Sequence, residues 1–208
     1  MWNETKNNAA TLGGQGRLES PLVGVQDFLA ANQAKQSNVF RLRERPFLEL
    51  VNVRGDVRDP AFMHAVQSVL GANVPVKPNT VTQASECDIL WLGPDEWLIR
   101  SIEPRAAQLE AKLGAAFSGL FAAAVDVGSG YTVLEASGTH VRDVLARGCP
   151  LDLHPTILAR GQCVQSHYFK ASIVLVPLGS DTYEIVVRRS FADYFCRIML
   201  DAAAPLLM

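Results

Sequence analysis

One pattern of strands and helices occurs twice along the sequence, and this constrains the fold more than any other feature. In the first copy a strand at 47–54 ends at Gly55 and is followed by a helix opened by Asp59 and Pro60. A tight hairpin at 88–100 and a second helix from about 104 complete it. In the second copy a strand at 131–137 ends at Gly138, a helix ends at Gly148, a hairpin spans 171–187, and Ser190 opens the last helix. Gly55 and Gly138 lie 83 residues apart, and the hairpin glycines Gly93 and Gly179 lie 86 apart. Offsets this long mark a duplicated domain half, not the short-period stacking of a solenoid. Strands alternating with helices and interrupted by hairpins predict an α+β fold of two ferredoxin-like halves. The expected halves run from about 40 to 120 and from 121 to 204, inside a domain covering 20–208.

Local signals set the element boundaries. Phe47, Val51 and Val53 share one side of the first strand, and Glu49 breaks the stripe. Asp59 caps the next helix with Pro60 in its first turn, Phe62, Met63, Val66, Val69 and Leu70 form its inner face, and Gly71 stops it. The prolines of Val74-Pro75-Val76-Lys77-Pro78-Asn79 predict an extended connector. Gly93-Pro94-Asp95-Glu96 reads as a four-residue hairpin loop, after which Leu109, Leu113 and Phe117 make a helical stripe. In the second half Thr139 or Ser137 is the expected cap of the helix carrying Val141, Val144 and Leu145, with Gly148 as a left-handed C-cap. Ser190 is the expected cap of the last helix, whose core face carries Phe191, Tyr194, Phe195, Ile198 and Met199. Ser20 and Pro21 begin a short helical segment with Leu22, Val25, Phe28 and Leu29 on one face.

At 208 residues and 49% hydrophobic the chain buries a core without help from a disulfide or a metal. A formal net charge of −2 removes the electrostatic basis for strong nucleic-acid binding. Arg41, Arg43 and Arg45, interrupted by Leu42 and Glu44, read as the solvated approach to a strand. Residues 1–19 are polar and are expected to form a mobile arm, because they offer too little apolar surface to offset the entropy of ordering. No secretory pattern and no membrane-length apolar run is present, so the expected compartment is the cytoplasm. Cys87, Cys149, Cys163 and Cys196 sit singly, which fits a reducing compartment and buried, unpaired thiols.

No position carries a strong chemical signal. Cys149, His154, Cys163 and His167 supply ligand types that zinc prefers, but nothing in their setting forces them to converge. Ser129 has adjacent glycines, where a nucleophile elbow needs them two residues away on a strand-to-helix turn, so it reads as a turn. Asp95 and Glu96 occupy a hairpin tip, where water keeps both ionised. Asp126, inside an apolar run, either accepts backbone hydrogen bonds from the 128–130 turn or faces a polar pocket. Trp91 and Trp97 pack across their hairpin or present an aromatic face to a partner.

The hairpin Leu90-Trp91-Leu92-Gly93-Pro94-Asp95-Glu96-Trp97-Leu98-Ile99 resembles a signature of the gamma subunit family of heterotetrameric sarcosine oxidase. Val125-Asp126-Val127, Ser137-Gly138 with Arg142-Asp143-Val144-Leu145-Ala146, the run from Gly148 to Pro155, and Arg189-Ser190-Phe191-Ala192 extend the resemblance to the C-terminal end. Gly128 stands where the family usually has serine, and Thr139 where proline is common. A more distant similarity connects the segment from Asp126 to Gly138 with the folate-binding aminomethyltransferases. The resemblance implies a non-catalytic subunit of a flavoenzyme that demethylates sarcosine oxidatively, passing the one-carbon unit to tetrahydrofolate. It implies alpha, beta and delta subunits as partners, chiefly alpha, with FAD, FMN, NAD and zinc held by those chains. It implies no catalytic, cofactor-binding or metal residue in this chain. The readings left beside it are a stand-alone folate-binding or aminomethyltransferase-like protein, and the equivalent subunit of an N-methylglutamate-type dehydrogenase.

Overall fold

The computed structural model describes residues 19–33, 38–104 and 108–207. The expected arm at 1–19 lies outside them except for Glu19. After a 3-10 turn at Val23–Val25, the chain forms α1 (Gln26–Gln33), β1 (Arg41–Arg45), β2 (Leu48–Arg54) and α2 (Pro60–Leu70). It continues through β3 (Val81–Gln83), β4 (Cys87–Gly93), β5 (Glu96–Pro104), α3 (Leu109–Ala116) and β6 (Ala123–Asp126). The remainder is β7 (Tyr131–Ser137), α4 (Val141–Ala146), β8 (Val164–Tyr168), β9 (Ala171–Pro177), β10 (Thr182–Arg188) and α5 (Ala192–Ala203).

The strands form two five-stranded sheets in the orders β3-β4-β5-β2-β6 and β8-β9-β10-β7-β1. Neighbouring strands in both sheets run antiparallel. The two orders are the same under the repeat, and four strands of each give the split βαβ arrangement of a ferredoxin-like unit with one short strand added at the edge. The segments 40–120 and 121–204 each begin with a strand that joins the other segment's sheet. Arg41–Arg45 pairs with β7, and Ala123–Asp126 pairs with β2. The opposite edges are joined by backbone bonds, from Val81 N to Gly161 O at 2.9 Å and from Cys163 N to Asn79 O at 3.0 Å.

Strand alternation sorts the side chains into layers. Val51, Val53, Ile89, Trp97 and Ile99 pack outward against α2 and α3. Leu134, Tyr183, Ile185 and Val187 pack outward against α4 and α5, with Leu22, Val25 and Leu29 closing that core. Leu48, Leu50, Leu90, Leu98, Val133, Val176 and Val186 meet between the sheets. The result is a helix, sheet, sheet, helix sandwich.

Asp59 accepts from Ala61 N, Pro60 follows it, and Gly71 takes the left-handed backbone with φ 71°, as the sequence predicts for α2. Several expected boundaries move. Phe47 is a turn residue with φ 61°, so the strand begins at Leu48. Pro104 ends β5, and the helix expected from about 104 starts at Leu109. Gly93 pairs with Glu96, which leaves Pro94 and Asp95 as a two-residue loop instead of four. No side chain caps α4 or α5, whose N-cap residues are His140 and Phe191, so neither Thr139, Ser137 nor Ser190 serves in that way. Gly148 is not left-handed: a Cβ there would meet the Phe169 ring at 2.5 Å, and close packing is what requires the glycine.

Candidate functional site

The charged side chains of the inter-sheet layer form one connected group. Glu184 on β10 is 0% exposed and Arg100 on β5 is 2% exposed. Parity along both strands turns these side chains inward, because their neighbours Tyr183, Ile185 and Ile99 face the helices. Arg100 Nε lies 2.6 Å from Glu184 Oε1 in an ion pair set off the hydrogen-bond axis. Arg100 Nη2 donates to Asp88 on β4. Arg45, at the end of β1, donates from Nη1 to Glu184 Oε2 at 2.8 Å and from Nη2 to Ile102 O at 2.5 Å. Burial pushes the Glu184 carboxyl up, and the guanidiniums of Arg100 and Arg45 oppose that rise. Arg45 is thus half-buried in an ion network, in place of the solvated position its sequence setting predicts. Arg43 pairs with Glu135 at 2.8 Å on the exposed side.

A cavity of about 410 Å³ lies against this network, lined in part by Arg45, Asp88, Arg100, Gln83 and Arg160. Sequence reasoning missed the group because its members come from four strands of both halves. The available signal was the placing of Asp88, Arg100 and Glu184 within apolar strands, where an unpaired charge is costly.

The residues singled out by sequence do not converge. Cys149 lies 3.6 Å from Ser166 Oγ, Cys163 Sγ faces Thr80 O and Trp91 O, His154 Nδ1 contacts Thr156 Oγ1, and His167 Nδ1 contacts Phe169 O. Among the described residues no group of three or more His, Cys, Asp or Glu is arranged to hold a metal. All four cysteines are buried, and none forms a disulfide. Burial pushes the Cys163 thiol up to about 11 and Cys196 up to about 12, the opposite of an activated nucleophile. Ser129 sits in the 3-10 turn Gly128–Gly130. Asp126 is exposed and accepts from Gly128 N at 2.8 Å, which is the turn role among its two readings. Glu96 accepts from Asn52 and Arg54, and Asp95 lies 3.8 Å from Arg54, so the hairpin tip is ion-paired. Trp91 stands opposite Trp97, whose indole donates to Pro75 O at 2.9 Å.

The outer surface carries a second feature. Phe121, just before β6, is 100% exposed, and Val125 on the open edge of that strand is 53% exposed. A groove of about 710 Å³ runs beside Phe121, lined by the loop Arg54-Gly55-Asp56-Val57-Arg58 and the hairpin tip. In that loop Arg58 pairs with Asp56 at 2.8 Å at the surface, and the Phe62 ring lies so close to Gly55 that a Cβ would come within 2.3 Å. The Arg58 guanidinium holds the Asp56 carboxyl down at about 2. Exposed apolar surface beside a groove is the usual mark of a contact surface.

The architecture places the chain in the class of duplicated ferredoxin-like domains that includes aminomethyltransferases. The glycine cleavage system aminomethyltransferase T from Bartonella henselae shares the fold with a TM-score of 0.63 at 14% identity, over 93% of this chain and 53% of that one. A chain of heterotetrameric sarcosine oxidase from Corynebacterium sp. U-96, solved in complex with pyrrole 2-carboxylate, matches more fully. Its TM-score is 0.83 at 24% identity, over 92% of this chain and 97% of that chain. The pattern of the sarcosine oxidase, gamma subunit family matches residues 54–205. Sarcosine oxidase subunit gamma of Corynebacterium sp. (strain P-1) is 30% identical over 174 residues, 83% of this chain and 84% of the relative. The Arthrobacter sp. protein of the same name matches to the same extent. The chain belongs to the sarcosine oxidase gamma subunit family.

Proposed function

We propose that this chain is a non-catalytic subunit of a heterotetrameric, flavin-dependent sarcosine oxidase, and that it docks chiefly against the alpha subunit. Family membership supports the assignment to the complex. The observation that carries the docking role is the fully exposed Phe121 beside the open edge of β6 and the charged loop at 54–58. An aromatic side chain left in water gains about 1.5–3 kcal/mol when a partner covers it. In this reading FAD, FMN, NAD, tetrahydrofolate and zinc are bound by the alpha, beta and delta subunits, and this chain supplies contact area and shape. The expected compartment is the cytoplasm; among the described residues no helix is long and apolar enough to cross a membrane.

The test is co-expression with the alpha, beta and delta subunits followed by purification through a tag on this chain. A yellow complex of four polypeptides with sarcosine-dependent oxygen uptake is expected, and the chain purified alone is colourless. A chain that purifies alone from that co-expression, or that alone binds tetrahydrofolate saturably at micromolar concentration, overturns the reading. The second outcome belongs to a stand-alone folate protein.

A further inference from the structure

We propose that the cavity between the two sheets is a binding site for a small organic monocarboxylate. At about 410 Å³ it falls within the range of small-molecule pockets, and it lies where the two halves meet. Its charge defines the ligand. Arg45, Arg100 and Arg160 line it as cations and Asp88 as an anion, while Glu184 lies behind, in contact with both Arg45 and Arg100. Three positive and two negative groups leave a net charge of about +1, which a monoanion neutralises and a phosphate dianion overshoots.

The donors are free to bind. Arg45 uses one N–H toward Glu184 and one toward Ile102 O, so three of its five donors have no partner among the described residues. Arg160 is exposed and makes no side-chain hydrogen bond or ion pair among the described residues. A guanidinium offers two parallel N–H groups, which fit the two oxygens of a carboxylate. Val81, Val176 and Leu178 supply an apolar wall that favours an organic body over an inorganic ion. The site does not depend on the docking role.

The full chain, labelled with ¹⁵N, is titrated with sodium benzoate, with neutral benzamide and with inorganic phosphate while backbone amide shifts are followed. Saturable shifts at Gln83, Gly161 and Leu178 are expected for benzoate, with benzamide silent and phosphate weaker. Arg160→Ala, at an exposed position, keeps the fold and weakens benzoate by about tenfold, the loss of one charge-assisted contact. Absence of saturable shifts with benzoate, equal shifts with benzamide, phosphate binding as tight as benzoate, or an Arg160→Ala variant of undiminished affinity would each overturn the proposal.

Discussion

Arg100 balances two buried carboxylates, Asp88 and Glu184, and its removal leaves both without their main counter-charge. Arg100→Met is expected to cost about 3–5 kcal/mol, the usual effect of breaking a buried ion pair. The pH dependence follows from the sign of the Glu184 shift. Burial lifts that carboxyl above its unfolded value of 4.5, so its contribution to stability is complete below about 4.5 and is lost as pH rises through the folded value. Without Arg100 the lift is larger. The deficit of Arg100→Met relative to the parent chain, measured by urea denaturation, is therefore expected to be smaller at pH 5 than at pH 8. The thiols act at the other end of the scale. Cys163 and Cys196 ionise near 9.0 when unfolded but only at about 11 and about 12 in the fold, so stability falls as pH rises above 9.0. By pH 10.5 each is expected to have cost about 2 kcal/mol, and a Cys163→Ala, Cys196→Ala double variant should lose correspondingly less on going from pH 8 to pH 10.5. Gly138 has φ 122°, and a Cβ there would lie 2.5 Å from Val39 O. Gly138→Ala is expected to destabilise by about 2–4 kcal/mol, read as a lowered melting temperature.

The first turn of α3 is held from outside the helix. Gln108 offers it no side-chain cap, and Glu49 Oε1 instead accepts from Gln108 N at 2.8 Å and Leu109 N at 2.5 Å. Glu49→Ala is expected to cost about 1–2 kcal/mol and to speed amide exchange across 108–112. This helix shows why some elements were legible in the sequence and others were not. Where a boundary is set by neighbours along the chain, as with Asp59, Pro60 and Gly71 around α2, the residue types name it. Where a residue 59 positions away supplies the cap, no local pattern exists, and Glu49 reads only as an interruption of an apolar stripe. Gly148 is the converse case: a glycine expected for its backbone freedom is required by the ring of Phe169. The functional candidates divide in the same way. Local readings of Asp126 and Ser129 as turn residues hold, while the Arg45, Asp88, Arg100 and Glu184 group exists only once two sheets face each other.

At the level of the molecule, the duplication was legible because hairpins and glycines recur at nearly constant spacing. The assignment of β1 to the second sheet was not, because only Leu42 of its five residues is buried and its arginines resemble a solvated segment. The exposed Phe121 was equally silent, since nothing in sequence distinguishes an unburied aromatic from a core one. Phe121→Asp is expected to leave the melting temperature within about 1–2 °C, as a surface substitution does, while lowering recovery of the chain with the flavoprotein subunits by at least about tenfold. Quantitative gel analysis of the tagged purification measures it.

Each repeat lends its leading strand to the opposite sheet: Arg41–Arg45 to the second, Ala123–Asp126 to the first. A gene encoding one repeat would yield a chain unable to complete itself, whose spare strand fits another copy. The arrangement is that of two strand-swapped partners held within one polypeptide, so neither half can close its own sheet without the other.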